Sequence, residues 1–156
     1  MLHIVYGGSA SGKSSYAESF AMSLQGEGRL LYIATMYPYK WNTTEIDPET
    51  MQRIERHRAM RADKGFDTVE CYRHVEHIVA KRQDVLLLEC MSNLLANEMY
   101  LEPDGNAGSD MAETMSPVSN KIVQALIDLS TRVQELVIVT NDMFSDVERE
   151  LRGIDE

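Results

Sequence analysis

The sequence predicts an α/β fold in which a mainly parallel sheet carries helices on both faces. Three observations predict it. Several short runs are almost unbroken apolar stretches, the pattern of parallel strands covered on both sides. Helical segments fall between these runs, which is the order a parallel sheet requires. A glycine-rich loop, "GGSASGKSS" at residues 7–15, joins the first run to the first helical segment.

Residues 2–6, "LHIVY", form a short apolar run with β-branched residues, read as the first strand. The loop after it fits G-x-x-x-x-G-K-[ST] through Gly7, Gly12, Lys13 and Ser14. In that pattern backbone N–H groups cradle phosphate oxygens, the lysine neutralises them, and the hydroxyl ligates Mg²⁺. A chance lysine in a glycine-rich turn needs no particular neighbours. Here a strand precedes the loop and "SSYAESFAMSLQ" follows as a helix, whose N-terminus adds partial positive charge. The fold is therefore P-loop NTPase-like, and the loop binds a nucleotide.

Further strands are expected at 30–34 "LLYIA", 68–72 "TVECY", 85–89 "VLLLE" and 136–140 "LVIVT". Residues 48–62 read as a helix with Asp47 as N-cap and Pro48 at the first helical position. Residues 117–135 read as another, opening after Ser116 with Pro117 in the same place. Its apolar stripe is Val118, Ile122, Leu126, Leu129 and Val133. The stretch 102–117, "EPDGNAGSDMAETMSP", is acidic and rich in Gly and Pro, and reads as a mobile surface loop, an insertion or a lid.

At 156 residues the chain is expected to be one domain with a real core. No apolar run approaches the ~20 residues of a membrane span, and no secretory signal opens the chain. Cys71 and Cys90 are the only cysteines and show no metal spacing, which fits a reduced, cytoplasmic setting. A formal charge of −10 argues against nucleic acid or an anionic membrane as partner. An acidic protein that binds polyphosphate has to concentrate its cations locally.

Those cations appear in "RIERHRAMRADK", residues 53–64. Arg53, Arg56, Arg58, Arg61 and Lys64 outnumber Glu55 and Asp63 and surround His57. A neutral imidazole among guanidinium groups is a good nucleophile toward an anionic phosphorus, with a phosphoramidate as product. His57 also lies three residues after Ile54, and on periodicity alone reads equally as a half-buried helix residue in a solvated charged face. The second acidic site a P-loop needs is offered by Glu89, at the end of "VLLLEC". It could reach a metal, a metal-bound water or the nucleotide, or be an ordinary strand-end carboxylate.

The segments "GGSASGKSSYAE", "LLYIATM", "RIERHRAMRADKGFDTVE", "VLLLECMSNLLANEM" and "LVIVTNDMFSD" occur in that order. Together they resemble the bifunctional adenosylcobinamide kinase / adenosylcobinamide-phosphate guanylyltransferase family of cobalamin biosynthesis, over nearly the whole chain. The arginine–histidine–arginine segment following "IAT" is the selective part. The resemblance implies two reactions. A nucleoside triphosphate, ATP or GTP, phosphorylates adenosylcobinamide; GTP then gives GMP to a histidine, here His57, which passes it to the cobinamide phosphate.

It further implies nucleotide contacts at Gly7, Gly8, Ser9, Ala10, Ser11, Gly12, Lys13 and Ser14, at Thr35, Met36 and Tyr37, at Arg58, Ala59, Met60 and Arg61, and at Glu70 and Glu89. Lys13 and His57 would be catalytic, with Mg²⁺ at Ser14 and Glu89. Glu70 could receive guanine N–H groups or a ribose hydroxyl, or be a charged surface residue. A homo-oligomer is implied, and the corrinoid enters as substrate, so no cobalt ligand is expected. Two departures stand out. A proline and tryptophan common in the family give way to "ADKGFDT", with Phe66 as the aromatic equivalent. The family's last helix and strand also find no match, so the domain is expected to lack them, with low stability and weak GTP binding as the consequence. The residues alone leave open a generic P-loop kinase in which His57 only contacts phosphate, or a nucleotide-binding remnant without activity.

Overall fold

The structure is a computed structural model describing residues 1–7, 12–40, 43–101 and 111–141, with backbone alone for 111–116 and 141. The strands are β1 (Leu2–Gly7), β2 (Leu30–Ala34), β3 (Asp67–Glu70), β4 (Val85–Glu89) and β5 (Glu135–Asn141). The helices are α1 (Lys13–Leu24), α2 (Pro48–Arg61), α3 (Met91–Tyr100) and α4 (Met111–Arg132), with a 3-10 turn at Val75–His77. One parallel sheet forms in the order β1-β5-β4-β2-β3.

The continuous apolar runs are explained by cover on both faces. Successive side chains of a strand point to opposite sides. Leu31, Ile33, Leu86, Leu88, Leu136 and Ile138 face α3, α4 and the 3-10 turn, packing on Leu94, Ile122, Leu126, Leu129 and Val75. Leu30, Tyr32, Val85, Leu87, Val137 and Val139 face α1, packing on Ala17 and Ala21. Each fully buried aliphatic side chain contributes about 1.5–3 kcal/mol relative to exposure. The central strands β2, β4 and β5 thus dominate the core, and β3, at the edge, has only Val69 half-buried.

The β2 and β4 expectations match at both ends, and β3 stops short at Glu70. There the Cys71 N–H still reaches the Ala34 carbonyl at 2.9 Å, but the chain then bends into the 3-10 turn. The fourth helix differs more. Pro117 does not open it but lies inside a helix that starts at Met111, so residues 111–116 are helical rather than loop. Proline removes one backbone donor and tends to kink a helix, but does not forbid one before it. The other end falls at Arg132, because Glu135 enters β5 to meet His3 at 2.7 Å. The rest of the expected loop, 102–110, and the chain after 141 lie outside the described residues.

α2 stands apart from both apolar layers, since none of its residues belongs to either. It is joined to the body by side-chain pairs. Arg61 lies over the Tyr32 ring, Arg58 meets Glu70 at 2.7 Å, and Lys64, just past the helix, meets buried Glu18 at 2.7 Å. Among the described residues no helix is long and apolar enough to cross a membrane.

Candidate active site

The carboxyl ends of β2, β3 and β4, Val139 of β5, the start of α1 and the inner face of α2 enclose a cavity of about 460 Å³. Ligands of open parallel sheets gather at such ends. Lys13, Ser14, Thr35, Met36, His57, Arg58, Arg61, Glu70 and Glu89 all line it. The sequence had spread these residues over 77 positions; the topology brings them together. Gly7 ends β1, and Gly12 precedes α1 at φ 79°, a left-handed conformation that glycine adopts without strain. Gly8, Ser9, Ala10 and Ser11 lie outside the described residues. Tyr37 instead lines a neighbouring recess, which shares Glu70 and Tyr72 with the first cavity. Ala59 and Met60 are exposed and do not line the cavity.

Glu89 is held by two hydroxyls. Ser14 donates to Oε1, and Tyr32 donates to Oε2 at 2.7 Å. Burial and then the Glu89 charge push the Tyr32 phenol far above its ordinary range, so it remains a donor. Because the Ser14 proton goes to Glu89, the serine oxygen keeps its lone pairs. A serine hydroxyl beside a carboxylate is a hard-oxygen pair that suits Mg²⁺, which takes one or two protein ligands and completes its shell with phosphate oxygens and water. Among the described residues there is no cluster of three or more His, Cys, Asp or Glu side chains that could hold a metal without a nucleotide.

Thr35 is fully buried and every polar group it has is engaged. Its N–H goes to the Glu89 carbonyl at 3.4 Å and its carbonyl accepts from Asn97 Nδ2 at 2.7 Å. Its hydroxyl accepts the Cys90 N–H at 2.9 Å and donates to the Glu89 carbonyl at 2.9 Å. Thr35 therefore clamps the end of β4 to β2, and offers a ligand its carbon surface only.

The α2 side of the cavity is cationic. His57 is half-buried and its Nδ1 has no hydrogen-bond partner; buried Arg61 has Nε and Nη1 likewise unpartnered. With Lys13, Arg53 and Arg58 this makes four fixed cations against Glu70 and Glu89, inside a chain of net charge −10. Such a wall attracts polyphosphate, and donors without partners inside it are costly until an anion accepts from them. The two thiols offer no rival nucleophile: burial pushes Cys71 up to about 11 and raises Cys90, so both remain protonated at neutral pH.

Sequence reasoning missed Tyr32, Tyr72, Asn93, Met51 and Ile54, which also line the cavity. Tyr32 had a usable signal, since a phenol in an otherwise aliphatic central strand must find a partner for its hydroxyl.

Two comparisons bear on this arrangement. The family model described as cobinamide kinase / cobinamide phosphate guanyltransferase matches residues 3–152. The bifunctional adenosylcobalamin biosynthesis protein CobU of Escherichia coli K12 is 30% identical over 149 residues, spanning 92% of this chain and 76% of that protein. CobU of Salmonella typhimurium LT2 is 31% identical over 150 residues, with the same 92% and 76%.

Proposed function

This chain belongs to the cobinamide kinase / cobinamide phosphate guanyltransferase family, and from that premise we propose that it carries out both reactions of that name, on adenosylcobinamide, in the cytoplasm. In the first, the acceptor hydroxyl oxygen attacks the γ-phosphorus of ATP or GTP. The bond to the bridging oxygen breaks, the nucleoside diphosphate takes its electron pair, and the hydroxyl proton passes to solvent. In the second, a ring nitrogen of His57 attacks the α-phosphorus of GTP and pyrophosphate leaves with the broken bond's electrons. A phosphate oxygen of the acceptor then attacks the same phosphorus, and the P–N pair returns to the imidazole.

The observation that carries this reading is the shared cavity: His57 with a free ring nitrogen on one wall, Lys13 and Ser14 on the other. Arg58, Arg61 and Lys13 would offset the charge of the phosphates, and stabilising charge that develops in the transition state is the largest single contribution such a site makes. Ser14 and Glu89 would hold Mg²⁺. When bound, the ion would draw negative charge from the phosphate oxygens. Glu70, paired with Arg58 at the cavity rim, would receive the guanine.

The test is incubation with α-labelled GTP. Label should appear on His57, survive alkali and be lost in acid. His57→Ala should lose labelling and guanylyl transfer but keep the kinase step, whose nucleophile is the substrate. Label that persists in His57→Ala, or that maps to Ser14 or Cys71, overturns the assignment.

A further inference from the structure

Tyr32 touches both walls of the cavity at once. Its hydroxyl donates to Glu89 Oε2 at 2.7 Å, and the Arg61 guanidinium carbon lies 3.4 Å from the centre of its ring. Phe66 meets the ring edge-on at 6.1 Å and 82°, so the ring is braced and the side chain is only 4% exposed. We infer that Tyr32 is the positioning residue that sets the Glu89 carboxylate and the Arg61 guanidinium relative to each other, and through them the cation and the phosphates of a bound nucleotide.

The two contacts separate by chemistry. Glu89 sits at a strand end, and with Ser14 alone its carboxylate could still turn about χ3; the phenol fixes the second oxygen. Among the described residues Arg61 has no ion-pair partner, and its Nε and Nη1 have no hydrogen-bond partner. A flat guanidinium stacked on a ring has its donors confined to one plane, which the ring orientation selects. The inference rests on the reading of the cavity as a Mg²⁺–nucleotide site. It adds a residue that acts through Glu89 and Arg61.

Full-length Tyr32→Phe and Tyr32→Leu, with wild type, would be titrated with GTP by calorimetry across a range of Mg²⁺ concentrations, and melted. Tyr32→Phe keeps the stacking ring and loses the hydroxyl. It should need ~10-fold more Mg²⁺ for half-maximal tightening of GTP, the scale of one hydrogen bond to a charged group. Its affinity for GTP without Mg²⁺ should be unchanged. Tyr32→Leu should show the same Mg²⁺ defect and in addition a roughly 3- to 30-fold weaker affinity without Mg²⁺, from loss of the ring under Arg61. A merely structural tyrosine would lower the melt in both and move neither titration.

A wild-type Mg²⁺ curve in Tyr32→Phe overturns the inference, and because the ring is kept that variant decides even if Tyr32→Leu fails to fold. Failure of the functional reading looks different. There the wild type takes no label from GTP, while the Mg²⁺ shift still decides Tyr32. A wild type that binds no GTP at any Mg²⁺ concentration overturns both.

Discussion

Strand β4 ends in a carboxylate at each side of the sheet, Asp84 just before it and Glu89 at its last position, and the two are treated in opposite ways. Asp84 is 1% exposed and accepts from Arg29 N, Arg29 Nε, Arg29 Nη2 and Lys81 N at 3.1, 3.2, 2.7 and 2.7 Å. A carboxylate has about four lone-pair sites, so its accepting capacity is full. Glu89 accepts from two hydroxyls and keeps about half its capacity facing a cavity. One carboxylate fastens the loop before β2 to the start of β4. The other is held in place but left with something to accept. The difference teaches that full burial with every acceptor site used makes a fastener, and half-burial with acceptor sites to spare makes a site.

The largest expected effect tests the Glu89 side. Glu89→Gln should cut turnover of both half reactions by ~10²–10³, equivalent to ~2.7–4 kcal/mol of transition-state stabilisation. Its chemical denaturation midpoint should correspond to a change of no more than about 1 kcal/mol. Equal losses of stability and rate would make Glu89 a second fastener.

Asp84→Ala should do the reverse. It strands two backbone N–H groups that have no other acceptor, at a cost of about 2–3 kcal/mol in a urea melt. Activity per folded molecule should be unchanged. Acid sharpens the point. Burial alone would raise the Asp84 carboxyl, but the Arg29 side chain and the Lys81 and Arg29 N–H groups outweigh it and hold it below the usual value. A group depressed in the folded state contributes stability that is fully present above its unfolded pKa, ~3.9, and is lost as pH falls through the folded value. The stability gap between wild type and Asp84→Asn should therefore hold constant above about pH 5 and close below it.

The smallest effect falls on Glu70, at the cavity rim. Its pair with Arg58 is half exposed on both sides, so Glu70→Gln should change stability by less than about 1 kcal/mol. If it receives guanine, the ratio of GTP to ATP affinity should still fall. An unchanged ratio would leave it a surface charge.

Much of this was legible in the residues. Runs such as "VLLLE" read as strands covered on both faces, and β4 forms over those residues. The loop at Lys13 and the cations around His57 were equally plain, since each violates what its surroundings would otherwise be: glycine where a strand ends, positive charge in an acidic chain. Other features carry no local mark. α3 begins two residues after Glu89, with no glycine or proline to announce it. Pro117 imitates the first position of a helix that in fact starts six residues earlier. Asp84 looks like any turn aspartate in "RQDV", because its four donors come from Arg29 and Lys81. Tyr32 reads as core, and is core; only the fold shows what its hydroxyl and ring meet.

The separateness of α2 has a consequence for heredity. Mutations in β4 or β5 are screened first by whether the chain folds, so their record mixes folding with chemistry. Many mutations along α2 escape that first screen, because among the described residues the helix supplies nothing to either apolar layer and meets the body through pairs such as Arg61 with Tyr32 and Arg58 with Glu70. A lineage released from selection on activity would keep a folded sheet and a helix free to drift. Such a chain is raw material: other residues could be tried at position 57 over generations without first rebuilding the sheet.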